Sequence, residues 1–262
     1  MNGLGVSSAC FYPQETERSM KKISDHHIPL CEIFFNAPSE LEPAFVSALK
    51  TQADNNGLRI VSVHPFTAFM ESYFLFSSYP RRFKDALPLY ERYCAVAAAL
   101  GARIVVIHGL KPPYTISDTE YFDRFAALME VGKAHGVSVC QENVVRHRSE
   151  DPVFLQHMAS ALGKDFGVVL DIKQARRTGC DYKEFLDRIG DHVAHVHLSD
   201  YTSEKDCVPP GEGLFDFPSF FREMQTSGYA GDYVIELYRD SYKEESQIVK
   251  SYDHLRRILA NI

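Results

Sequence analysis

Eight short apolar runs, each followed by an amphipathic segment, constrain the fold of this 262-residue chain more than any other feature. The strand-like runs are residues 3–10, 30–36, 58–64, 103–108, 136–142, 167–171, 193–198 and 232–238. They are short and rich in β-branched residues, as buried strands are. Between and after them, residues 14–25, 39–56, 81–100, 118–134, 150–162, 181–189, 216–227 and 243–261 carry helical periodicity. Helix-end signals agree: Pro38-Ser39 opens the second helix, Gly57 closes it, and Gly101, Gly136 and Gly163 follow the next three. Eight βα units in a chain of this length predict an α/β fold, a (β/α)8 TIM barrel occupying residues 1–262 as one domain. Neither GxGxxG nor GxxxxGK[ST] occurs, which removes the commonest nucleotide-binding sheets.

Barrel active sites form at the C-terminal ends of the strands. Those ends carry His64, His108, Glu142, Asp171, His197 and Glu236. Glu142, Asp171, His197 and Glu236 close four successive runs, and they converge only if parallel strands close into a barrel. Two glutamates, an aspartate and a histidine form a mixed oxygen and nitrogen set. It suits one divalent metal ion, Mn2+, Mg2+ or Co2+, with Zn2+ also compatible. The plain alternative is that each polar residue ends its strand and meets solvent. His195 lies two residues before His197 and so shares its face; we read it as a hydrogen-bonded interior residue. His135, His147, His157, His192 and His254 receive no role.

Composition narrows the partners. Against 28 Lys+Arg stand 35 Asp+Glu, a formal charge of −7, which argues against nucleic acid as a partner. No apolar stretch is long enough for a membrane span, and no basic, apolar leader opens the chain, so the expected location is the cytoplasm. The six cysteines form no CxxC pair and read as reduced, mostly buried thiols.

Two features point to the barrel mouth. Residues 65–80 form a long connection with six Phe and Tyr, and long βα loops are usually functional. It reads either as a lid over the mouth or as a contact in a homo-oligomer. Lys111, Arg146, Arg148, Lys173, Arg176, Arg177 and Arg239 follow strand ends closely. They favour an anionic small molecule, a sugar phosphate or sugar acid, or else neutralise the site's own carboxylates.

The order and spacing of SVHPF (62–66), LGARIVVIHG (100–109), GVSVCQEN (136–143), GVVLDIKQARRTG (167–179), HVHLSD (195–200), PGEGLFDF (210–217) and GYAGDYVIEL (228–237) resemble the xylose-isomerase-like TIM barrel superfamily. That group includes sugar-phosphate isomerases and epimerases, inosose isomerases and dehydratases, ketose 3-epimerases and AP endonuclease family 2. The resemblance implies a metal on Glu142, Asp171, His197 and Glu236, with the two glutamates as the catalytic acid/base pair. His64, His108, Lys111, Arg148, Gln174 and Asp200 are the residues expected to bind substrate. Two positions depart from the family pattern. Gln174 stands where D-x-x-H has its histidine, and Val208 replaces the histidine of an Asp-x-His that begins at Asp206. These losses argue against the three-zinc cluster of the nuclease branch and leave a single-metal site intact.

The expected activity is proton transfer next to a carbonyl of a polyol or sugar derivative, giving an isomerase or epimerase. The rival expectations are an inosose-type dehydratase or isomerase, a zinc-dependent AP endonuclease-like hydrolase, and a catalytically inactive ligand-binding barrel.

Overall fold

Each of the eight apolar runs contributes one strand to a closed, all-parallel barrel in the computed structural model, which describes residues 3–262. The strands are β1 (Leu4–Ser7), β2 (Leu30–Phe34), β3 (Arg59–His64), β4 (Ile104–Ile107), β5 (Ser138–Glu142), β6 (Gly167–Asp171), β7 (Val193–Leu198) and β8 (Tyr233–Ile235). They pair in chain order, and β1 closes on β8 through Leu4–Tyr233, Gly5–Val234 and Val6–Ile235. Register shifts interrupt the pairing at Cys31/Glu32 and at Val168/Val169.

Outside the barrel lie α1 (Thr16–Asp25), α2 (Pro43–Asn55), α3 (Glu71–Phe74), α4 (Pro80–Leu100), α5 (Asp118–Ala134), α6 (Pro152–Leu162), α7 (Ile172–Thr178), α8 (Tyr182–Ile189), α9 (Phe217–Thr226) and α10 (Ser246–Leu259). Several boundaries differ from the sequence expectation for local reasons. The first strand ends at Ser7, whose hydroxyl accepts from the Ala9 N–H and starts a 3-10 turn over Ser8–Phe11. The second helix splits into a turn, Pro38–Leu41, and α2, because Pro43 fits the first turn of a helix but lacks an N–H to continue one. The expectation missed α7, which begins directly after β6 with Asp171 as its N-cap, accepting from the Gln174 N–H at 3.0 Å.

Strand alternation sorts the side chains into two environments. Outward residues such as Val63, Val105, Val139, Leu170, Val196 and Ile235 join the main core with helix residues Tyr93, Phe125, Phe154, Phe185, Phe220 and Leu255. Inward residues form separate small clusters, Leu30–Val61–Val234 and Val106–Cys140–Val169. Two residues further along the strands, on the same inward face, stand Glu32, His108, Glu142, Asp171 and Glu236. The barrel therefore carries an apolar floor and, one layer above it, a ring of ionisable groups.

Candidate metal centre

The upper ring is buried. Glu32, His64 and His195 are fully enclosed, and Glu142, Asp171 and His197 are each 1% exposed. Glu142, Asp171, His197 and Glu236 each offer a ligand atom, and those four atoms lie within 4.8 Å of one another. The reason is the closure of β5 through β8, which brings four strand ends to one side of the axis. His197 Nδ1 faces Glu142 Oε1 at 3.5 Å, Glu236 Oε2 at 3.6 Å and Asp171 Oδ2 at 3.9 Å. It makes no hydrogen bond, although it is buried.

Glu32 explains the orientation of that ring. His197 Nε2 lies 3.0 Å from Glu32 Oε2, and a carboxylate can only accept, so Nε2 carries the proton and Nδ1 points at the three carboxylates. Glu32 Oε2 also accepts from the Ser62 hydroxyl at 2.7 Å, and His195 Nε2 lies 3.6 Å away. Burial raises the pKa of Glu32, but His197 and His195 outweigh it and hold the carboxyl well below the usual range. Burial lowers His197, and Glu32 and Glu236 more than reverse this, keeping it well above the ordinary imidazole value. A carboxylate on the second nitrogen of a ligating histidine fixes its tautomer and raises its basicity. Sequence reasoning missed Glu32. Its only signal was a charged residue inside the apolar run LCEIF.

Lys173 Nζ donates to Asp171 Oδ2 at 2.7 Å and Glu236 Oε2 at 2.9 Å, while Glu32 and Glu142 lie against His64, His108, His195 and His197. Burial lowers Lys173, but Asp171 and Glu236 hold it well above the ordinary lysine value. Burial pushes Asp171 up to about 6, with Lys173 opposing and Glu142 and Glu236 adding to the rise. The unpartnered Nδ1 and the surrounding carboxylate oxygens form a donor set that fits a hard divalent ion.

Above the ring opens a cavity of about 570 Å3. His108, Lys111, Glu142, Lys173, Gln174 and Glu236 line its polar part, and Tyr12, Phe34, Phe66, Phe69, Leu237 and Tyr238 line much of the rest. His108 Nε2 sits 3.0 Å from Glu142 Oε2, and His64 lies deeper, with Nε2 at 3.6 Å from the same oxygen and its ring stacked on Phe34. The Gln174 side-chain oxygen accepts from the Val145 N–H at 3.3 Å. Arg177 and Arg239 add positive charge at the wall. His147, given no role from sequence, also lines the cavity, and burial lowers it to about 4.

Two residues expected to bind substrate are placed elsewhere. Arg148 forms a two-pronged pair with Asp118, at 3.0 and 2.7 Å, and packs over Phe154. Asp200 accepts four backbone N–H groups, from Tyr201, Gly211, Gly213 and Phe215, at 2.8–3.0 Å. Arg148 Nε and Nη2 and both Asp200 carboxylate oxygens are thus engaged within the protein, and neither residue lines the cavity above the ring. Lys173 likewise neutralises the site's carboxylates rather than standing free for an anion.

The 65–80 connection divides in two. Leu75 and Phe76 are fully buried, and Phe76 stacks on Tyr121 with ring centroids 4.1 Å apart. Phe66 and Phe69 reach the cavity wall, and Phe69 is 73% exposed. Glu71, fully buried, anchors the connection by accepting the Gly109 N–H at 2.6 Å. Gly109 takes φ +92°, and a Cβ there would lie 2.2 Å from Tyr121 Oη, so glycine is required beside His108.

A closed eight-stranded barrel with this ring at its mouth defines a class, and sequence comparison agrees. The family described as xylose isomerase-like TIM barrel matches residues 21–258, and the chain belongs to that family. An uncharacterized protein of Methanocaldococcus jannaschii is 26% identical over 263 residues, covering 95% of this chain and 88% of the relative. L-ribulose-5-phosphate 3-epimerase UlaE of Escherichia coli is 32% identical over 71 residues, 26% of this chain and 25% of its own. Among solved structures, a D-tagatose 3-epimerase-like protein superposes with a TM-score of 0.83 at 23% identity, covering 99% of this chain and 97% of the other; that likeness is one of fold. Among the described residues no helix is long and apolar enough to cross a membrane.

Proposed function

We propose that this protein is a metal-dependent sugar isomerase or epimerase that moves a proton on the carbon next to a carbonyl. One observation carries the reading: the unpartnered His197 Nδ1 faces Glu142, Asp171 and Glu236 within 3.9 Å, on the floor of a cavity large enough for a sugar. The names of the relatives, a ribulose-phosphate 3-epimerase and a tagatose 3-epimerase-like protein, lend it support.

Glu142, Asp171, His197 and Glu236 would hold the ion, Mn2+, Mg2+, Co2+ or Zn2+. When bound it would polarise the substrate carbonyl and stabilise negative charge on its oxygen. Glu142 takes the proton from one face of the substrate, and Glu236 returns one from the other. His108 Nε2 lies 3.0 Å from Glu142 Oε2, beside that carboxylate. Return to the opposite face of the same carbon gives epimerisation, and return to the neighbouring carbon gives isomerisation. Gln174 can hydrogen-bond a hydroxyl but cannot act as a base. Phe34, Phe66, Phe69 and Tyr238 offer faces for C–H groups of the sugar, and Lys111, Arg177 and Arg239 suit a phosphate or carboxylate carried at the mouth.

The test pairs metal analysis of the purified protein with exchange of a substrate C–H proton against deuterated solvent, over a panel of ketoses, inososes and sugar phosphates. One bound divalent ion and exchange on at least one substrate are expected. Glu142→Gln and Glu236→Gln should retain much of the ion and lose about 10²–10⁴-fold in exchange rate. Equal exchange by wild type and the metal-loaded variants would overturn the two-glutamate mechanism.

A further inference from the structure

Lys173 sits at the first turn of α7, in the segment DIKQ, and points back into the ring instead of out to solvent. Its side chain is 1% exposed. The ammonium donates to Asp171 Oδ2 at 2.7 Å and Glu236 Oε2 at 2.9 Å, and the Tyr238 ring covers it, with Nζ 4.9 Å from the centroid. It engages two of the four candidate ligands. Glu142 and the unpartnered His197 Nδ1 still face the point where the four ligand atoms converge.

We propose that Lys173 is an internal counter-cation of this centre, which holds Asp171 and Glu236 together when no ion is bound and weakens the hold of the same carboxylates on a divalent ion. The proposal rests on the metal-centre reading above. Three carboxylates repel one another in a buried ring, and the ammonium fixed between Asp171 and Glu236 relieves the repulsion of that pair. The same charge repels an incoming divalent ion and occupies lone pairs on two of its ligands. An ion held by Glu142, Asp171, His197 and Glu236 beside an ammonium would bind less tightly, and draw more electron density from a coordinated oxygen, than one held by the four ligands alone. Lys173 thereby sets the affinity of the centre and its ability to exchange ions. Its ammonium, paired with two carboxylates, has no free lone pair, so it is a positioning group and not a nucleophile.

The experiment uses the full chain stripped with a chelator, with Mn2+ and Zn2+ as probes. Affinity is read by competition with a chromophoric chelator, and stability by the melting temperature with and without ion. Lys173→Met should bind each ion about tenfold tighter or more, because a positive charge near the ion is gone. Its metal-free melting temperature should fall, and its rise on adding ion should exceed that of wild type. Lys173→Arg, which keeps the charge, should bind like wild type; a packing role alone would leave Arg and Met alike. Should the Met variant fold only with metal, that too is the expected dependence in its strongest form. Wild-type or weaker affinity in Lys173→Met overturns the proposal while the metal centre stands. If neither wild type nor Lys173→Met takes up ion, the metal-centre reading fails and the proposal falls with it.

Discussion

Replacing Glu32, which stands in the ring against His197 Nε2 and outside the four candidate ligands, should weaken metal binding by an amount set by hydrogen-bond chemistry. Its Oε2 receives Ser62 Oγ at 2.7 Å and His197 Nε2 at 3.0 Å, at 0% exposure. Glu32→Gln retains a neutral oxygen at the site, so His197 keeps an acceptor but loses its charged one. A hydrogen bond to a charged group contributes about 1.5–3 kcal/mol, against about 0.5–1.5 for a neutral pair. The difference, about 1–1.5 kcal/mol, corresponds to roughly tenfold in affinity. That is the low end of the roughly 10–100-fold typical when the outer partner of a metal-ligating histidine is changed. Glu32→Leu removes the acceptor altogether and strands His197 Nε2, while Ser62 Oγ keeps His195 Nε2 at 3.2 Å, a loss on the order of 3–5 kcal/mol in folding stability. The assay is competition for Mn2+ or Zn2+ against a chromophoric chelator, with the metal-free melting temperature measured in parallel. A graded result is expected: Glu32→Gln folded and about tenfold weaker, Glu32→Leu strongly destabilised. Unchanged affinity in folded Glu32→Gln, with His197→Ala abolishing binding, would refute the orienting role.

Three further expectations follow from particular contacts. Burial pushes the carboxyl of Glu71 up to about 8, opposed by His108 and the Gly109 N–H; the folded state therefore holds a proton the unfolded state has released, and stability falls by about 1.4 kcal/mol per pH unit from near pH 4.5 to near 8. Glu71→Gln should flatten that part of the pH–stability curve in urea titrations, and an unchanged slope would contradict it. Phe69, on the cavity wall and 73% exposed, should when changed to Ala raise KM several-fold while moving stability by no more than about 0.5 kcal/mol; a drop in oligomer mass instead would assign the 65–80 connection to a subunit contact. Purified protein loaded with zinc should not nick abasic duplex DNA, because Gln174 and Val208 stand where the nuclease branch has imidazoles, and robust nicking would reverse that expectation.

The ring of candidate ligands was legible because it depends on two short-range regularities. Alternation puts every second strand residue on one face, and barrel closure puts successive C-terminal strand ends together. Glu142, Asp171, His197 and Glu236 need nothing else to meet. Glu32 was hidden because its meaning lies in a contact between β2 and β7, 165 residues apart, which no local pattern encodes. The α7 helix was hidden because no loop separates it from β6; one residue, Asp171, ends the strand and caps the helix.

Side-chain direction divides what the sequence determined from what the tertiary structure decided. Apolar periodicity, counted along the chain, determined eight βα units, hence the barrel and which end of it bears the ionisable groups. Arg148, Lys173 and Asp200 each follow a strand end just as Lys111 does, and sequence treats them alike. Folding separates them: Arg148 turns to Asp118, Asp200 gathers four backbone N–H groups of its own loop, and Lys173 folds inward onto Asp171 and Glu236. Long polar side chains at loop positions go where a partner of opposite charge or an unpaired donor lies within reach, and those partners come from distant parts of the chain that only the closed barrel brings near.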